Sequence, residues 1–175
     1  MTNKERGEES TVEINSARFG TVEINENSII TFPDKLPGFN DLSKFAIIKC
    51  EQTEPIQWLQ SMEDMDISIP IINPFVIKSD YEIEVNDDEL DLIKSRNEEE
   101  MIVLNIMVLP EDLTNMTVNL MAPLLINVTE MLGTQIMMDY KPLPIRYPAF
   151  DALMKYYQNQ PEEVGADAGS DTQSK

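Results

Sequence analysis

Met101-Ile-Val-Leu-Asn-Ile-Met-Val-Leu109 is the longest apolar stretch of the chain. Its Val and Ile content favours an extended backbone, and its near-continuous apolarity predicts a strand buried on both faces. Upstream, Tyr81-Glu-Ile-Glu-Val85 alternates apolar and polar, the period-2 mark of a half-buried strand. Ile67-Ser-Ile-Pro-Ile-Ile72 carries Pro70, which predicts an edge position or a bulge. Phe45-Ala-Ile-Ile-Lys-Cys50 and Ile56-Gln-Trp-Leu-Gln-Ser61 read as central strands. Val12-Glu-Ile-Asn15 and Thr21-Val-Glu-Ile-Asn25 alternate, and Phe19-Gly20 between them permits a turn or bulge. Ile29-Ile-Thr-Phe32 follows a turn at Asn27-Ser28.

Downstream, Thr117-Val-Asn-Leu120, Leu124-Leu-Ile-Asn-Val-Thr129 and Thr134-Gln-Ile-Met-Met-Asp139 complete the series, with Leu132-Gly133 read as the turn between the last two. Helices are short. Asn86 or Asp87 caps one over residues 88–95, Asn40 caps a turn over 41–45, and residues 149–157 form a terminal helix. Many short strands with few helices predict an all-β fold, a compact antiparallel sandwich or barrel. Residues 12–150 form this domain. Residues 1–11 read as a disordered head, and 151–175 as a short helix followed by an acidic disordered tail.

The chain has 175 residues, 42% of them apolar, enough for one core. Thirteen basic residues face 32 acidic ones, a net charge of −19. Between residues 12 and 150 the balance is still 9 to 24, so the folded part is itself acidic. Such a surface repels nucleic-acid phosphates and anionic membranes. It suits a basic protein partner, or serves solubility alone. A single cysteine allows no internal disulfide and fits a reducing compartment. The polar N-terminus has no signal-peptide core, and no apolar run nears the roughly 20 residues needed to span a bilayer, so the expected location is the cytoplasm.

Catalytic chemistry finds little material. The absence of histidine removes the commonest general base and the commonest zinc ligand. Cys50, in an apolar strand, reads as a core thiol. Glu63-Asp64-Met65-Asp66 and Asp87-Asp88-Glu89-Leu90-Asp91 lack the calcium-loop pattern and read as solvated carboxylates, with a paired-carboxylate hydrolase as the enzymatic alternative. Six glycines form no nucleotide-binding loop. Met101, Met107, Met137 and Met138 read as core. No catalytic residue, metal or cofactor is expected.

An ordered set of segments carries a family signal. Phe19-Gly20 leads through Ile24-Asn25-Glu26 to Ile29-Ile-Thr-Phe32, then Leu36-Pro-Gly-Phe39, Trp58-Leu-Gln-Ser61 and Asn73-Pro-Phe75 with Tyr81. Thr117-Val-Asn-Leu-Met-Ala-Pro-Leu-Leu-Ile-Asn127 precedes Gly133-Thr-Gln135. In this order and spacing the chain resembles the bacterial flagellar assembly factor FliW family over about residues 16–148. It departs at Arg146-Tyr147-Pro148, where the family often has Arg-His-Pro. The resemblance implies a barrel-like domain without catalytic activity. It implies binding to the carbon storage regulator CsrA, a dimeric RNA-binding repressor, with relief of its block on flagellin translation. It also implies binding to flagellin, the two partners alternating in a switch.

For partner contacts, residues 80–100 stand out with ten acids and two bases. Glu82, Glu84, Asp87 and Asp88 are the expected electrostatic part. Phe39, Phe75 and Tyr81 are the candidate apolar anchors. Phe39 and Phe75, beside Pro-Gly and Asn-Pro turns, could equally pin loops to the core. Asn119 and Asn127 are expected to satisfy backbone groups in the sheet. A small-molecule-binding barrel and a flagellin-only chaperone are the competing readings; the first requires a cavity.

Overall fold

The structure, a computed structural model, describes residues 10–39 and 41–161. Residues 1–9 of the expected 1–11 head, the Asn40 cap and the tail from 162 onward lie outside these, while Thr11, the last residue of that head, already belongs to the first strand. The strands are β1 (Thr11–Ser16), β2 (Gly20–Asn25), β3 (Ile30–Thr31), β4 (Lys44–Lys49), β5 (Gln57–Ser61) and β6 (Ser68–Ile72). Helices α1 (Pro74–Ile77) and α2 (Asp87–Leu92) come next. Then follow β7 (Met101–Val108), β8 (Thr117–Val118), β9 (Leu124–Asn127), β10 (Leu132–Gln135), β11 (Tyr147–Pro148) and α3 (Phe150–Asn159).

Seven strands close a ring in the order β7, β6, β5, β4, β3, β10, β9 and back to β7. All pairings in the ring are antiparallel except β3 with β10. Of the two expected architectures, the barrel forms. Closure gives strand backbones partners that an open sheet leaves to solvent. The period-2 pattern then sorts the side chains. Phe32, Phe45, Leu59, Ile71, Leu104, Leu124 and Ile126 fill the interior. The alternate residues face outward and need cover. The β1–β2 hairpin supplies it over Ala46, through Ile14 and Ile24. Residues 73–85 and α3 supply it over Trp58, Ile72 and Met107.

Several expectations change. Strand β7 is buried on both faces only near its middle; Ile102 is exposed, and Val108 is 59% exposed. Residues 81–85 keep the alternating burial of a strand but pair with no neighbour. They cross over the barrel wall, so side-chain cover rather than strand pairing sustains the pattern. Leu132-Gly133 lies within β10. The turn is residues 128–131, where Met131 takes a positive φ of 52° and Asn127 Oδ1 accepts from Thr129 and Glu130 N–H. Gly133 is required by close approach instead: a Cβ there would sit 2.6 Å from the Phe32 ring.

Pro70 lies in no bulge but, as one of the two expected alternatives, at a locally unpaired edge, with a strand partner on one side only. It pairs with Trp58 of β5, while β6 meets β7 only at Ile71 and Ile72. Cys50 falls just past β4 and is half-buried, its thiol donating to Gln52. Met107 and Met138 are core, Met101 is half-buried, and Met137 lies beyond β10 at 58% exposure.

Candidate protein-docking face

Strand β6 stops at Ile72 because the next residues are built to turn. Asn73 Oδ1 accepts from the Phe75 N–H at 3.0 Å, capping α1, and Pro74 occupies the first helical position, where its missing N–H costs nothing. The turn swings Phe75 outward, and the ring is 47% exposed.

Tyr81 supports Phe75 from below. The two rings meet edge-on, centroids 6.2 Å apart at 71°. Tyr81 is 3% exposed, which removes it as a surface anchor and makes it the brace for one. Its hydroxyl donates to the Leu120 carbonyl at 2.7 Å and accepts from Asn105 Nδ2 at 3.2 Å. Asn105 Nδ2 also donates to the Asn119 carbonyl at 2.7 Å, and Asn119 Oδ1 accepts from the Met121 and Ala122 N–H groups. Burial pushes the Tyr81 phenol pKa up, so it stays a neutral donor. Asn119 and Asn127 thus serve backbone groups as expected; Asn127 Nδ2 donates to the Ile93 carbonyl at 3.0 Å.

Grooves lie on both sides of Phe75. One, of about 880 Å³, runs between α1 and α3 past Tyr147 and Tyr156. The other, of about 690 Å³, runs along the first half of β7 beside Ile47 and Gln57. Asn73 and Phe75 line both and form the ridge between them.

Acidic side chains continue from the brace. Glu82 follows Tyr81 and is exposed, with Lys141 Nζ 3.2 Å from its carboxylate. The Glu84 N–H donates to the Tyr140 hydroxyl, fixing the backbone while the side chain faces solvent. Asp87 and Asp88 occupy the first turn of α2, whose capping box pairs Asn86 and Glu89 through two 2.9 Å bonds. Carboxylates there face the helix's free N–H groups, which favour negative charge. Phe39 is not part of this face; it is half-buried and packs on the barrel-interior cluster.

Ile102, expected in a strand buried on both faces, Met137, expected in the core, and Tyr140, not singled out from the sequence, are all exposed. Alternation predicts which residues share a face, but not where covering layers end. Among the described residues, no group of three or more His, Cys, Asp or Glu side chains could hold a metal ion. No described helix is long and apolar enough to cross a membrane.

Fold and site together define a small acidic β-barrel that displays an aromatic ridge, seated on a hydrogen-bonded base and continued by carboxylates. The model of the FliW protein family matches residues 13–149. The flagellar assembly factor FliW of Caldicellulosiruptor saccharolyticus is 42% identical over 140 residues, covering 80% of this chain and 91% of the relative. That of Clostridium tetani is 37% identical over 139 residues, covering 79% and 96%. A crystal structure of a flagellar assembly factor FliW superposes with a TM-score of 0.74 at 27% identity, covering 79% of this chain and 96% of that one. The chain belongs to the FliW family of flagellar assembly factors.

Proposed function

We propose that the chain is a non-enzymatic cytoplasmic regulator that binds CsrA and relieves its repression of flagellin mRNA. Flagellin competes for it in a partner switch. The observation that carries this reading is the exposed Phe75, held rigid by Tyr81 and continued by Glu82, Glu84, Asp87 and Asp88. An RNA-binding repressor must present basic surface to its RNA. A carboxylate-rich protein docked on it adds negative potential near the RNA path and expels RNA by repulsion. A rigid aromatic supplies the desolvated anchor that charge alone lacks. The barrel interior is filled by apolar side chains, which argues against a small-molecule carrier.

The test is titration of CsrA, prebound to flagellin leader RNA, with the purified chain. Release of RNA, reversed by flagellin monomer and lost on charge reversal at Glu82, Glu84, Asp87 and Asp88, supports the switch. Absence of CsrA binding overturns it, and retained flagellin binding in that case identifies a flagellin-only chaperone.

A further inference from the structure

The ring of strands is closed, yet one edge inside it is incomplete. Strand β7 pairs with β9 across Met101 to Leu104, and with β6 only at Asn105 and Ile106. The Val128 N–H donates to the Glu100 carbonyl, and the Asn119 N–H donates to the Ile106 carbonyl. Even-numbered residues of β7 therefore direct their backbone groups toward β9 and β8. By the alternation of an antiparallel ladder, odd-numbered residues direct theirs toward β6.

Strand β6 does not reach them. The chain turns away at Asn73 and Pro74, and the Pro74 carbonyl is taken by the Lys78 N–H. The Met101 N–H is satisfied by the Glu98 carbonyl. The ladder between β6 and β7 ends at Ile72 opposite Asn105, so it does not extend to the Val103 N–H and carbonyl or to the Met101 carbonyl. These groups face the groove of about 690 Å³ whose walls include Ile47, Ile102 and Phe75. An edge with free backbone groups is a template for another strand.

We propose that this half-edge of β7 is a strand-addition site. It takes an extended polypeptide segment of a partner protein, running antiparallel to β7 in continuation of β6. Val103 supplies one donor and one acceptor, Met101 one acceptor, and Phe75 and Ile102 the apolar contacts. Four β7 residues give a contact about 13 Å long at the usual strand rise. Charge selects the segment. Glu98, Glu99 and Glu100 lie immediately beyond the Met101 end, and none is paired with a basic side chain among the described residues. An antiparallel segment brings its C-terminal end there. The occupant is therefore an apolar, β-prone stretch followed by lysine or arginine.

This inference deepens the binding reading and rests on it only in taking the partner to be a polypeptide. It is tested by titrating the isotope-labelled full chain with the synthetic peptide acetyl-Thr-Val-Thr-Val-Lys-Lys-amide at millimolar concentration, following backbone amide resonances. The expected result is a saturable shift and slowed exchange at the Val103 amide. Ile102, whose amide already faces β9, should keep its exchange rate. Binding should weaken about tenfold, as loss of charge-assisted contacts gives, for the Glu-Glu version of the peptide or in the Glu98→Lys/Glu99→Lys variant. An unchanged Val103 amide, or equal binding of the two peptides, overturns the proposal. RNA release from CsrA is a separate measurement, so either reading can fail while the other stands.

Discussion

Phe75 stands edge-on to Tyr81, one ring 47% exposed and the other 3%. The exposed ring is held in place by a buried one whose hydroxyl is anchored to Leu120 and Asn105. The two should therefore respond differently to mutation. Phe75→Ala should leave the unfolding free energy from urea titration within about 0.5 kcal/mol of the parent, as surface changes do. It should weaken partner binding by about 2 kcal/mol, the size of an interface anchor. Tyr81→Phe should do the reverse in kind: it leaves the Leu120 carbonyl without its donor, costing about 1–2 kcal/mol of stability. Parallel denaturation and binding titrations separate the two effects.

Gly133→Ala tests the close approach of β10 to Phe32. A methyl group 2.6 Å from the ring cannot be accommodated without movement of a fully buried side chain. The expected loss is about 2–3 kcal/mol. Phe32→Leu in the same chain should recover part of it, giving a coupling of at least about 1 kcal/mol in a double-mutant cycle.

Asn127→Ala removes both halves of a junction. Its oxygen holds the 128–131 turn, and its amide holds the Ile93 carbonyl at the end of α2. With this residue fully buried, the expected cost is about 2–3 kcal/mol. Asn119→Ala, which loses the contacts to Met121 and Ala122, should cost less because Asn119 is only half-buried. Thermal unfolding of both variants ranks them.

Glu63 ties the start of β4 to the loop after β5. The Ser43 N–H, with the Lys44 N–H and the Ser43 hydroxyl, holds its carboxyl below the ordinary value of 4.5. A depressed folded-state pKa contributes stability that is complete above 4.5 and is lost as pH falls through the depressed value. The stability gap between the parent and Glu63→Gln should therefore be constant near neutrality and close as pH drops below 4.5. A gap that widens on acidification would contradict the assignment. Measuring the difference between two chains cancels the relief of repulsion that protonation brings to so acidic a protein.

Most strands were legible in the sequence because a half-buried strand writes its burial as alternation; β1, β2, β4 and β5 fall within a residue or two of their expected positions. Residues 81–85 carry the same alternation without being a strand. Periodicity reports which side chains are covered, and an unpaired segment laid on a barrel is covered in the same way. Leu132-Gly133 misled for a related reason: glycine signals either a turn or a near neighbour, and the neighbour, Phe32, lies about a hundred residues away in sequence.

The sequence by itself determined the all-β class, the acidity of the folded part, the short capped helix at Asn86 and the family to which the chain belongs. These follow from local chemistry and composition. Only the tertiary structure decided that the sheet closes into a barrel, that Tyr81 is a brace while Phe75 is the surface, that Phe39 belongs elsewhere, and that β7 keeps an unpaired half-edge. Each of these depends on where a chain ends against a distant neighbour, and hydrogen-bond completion and side-chain cover are properties of pairs that no single stretch of sequence contains.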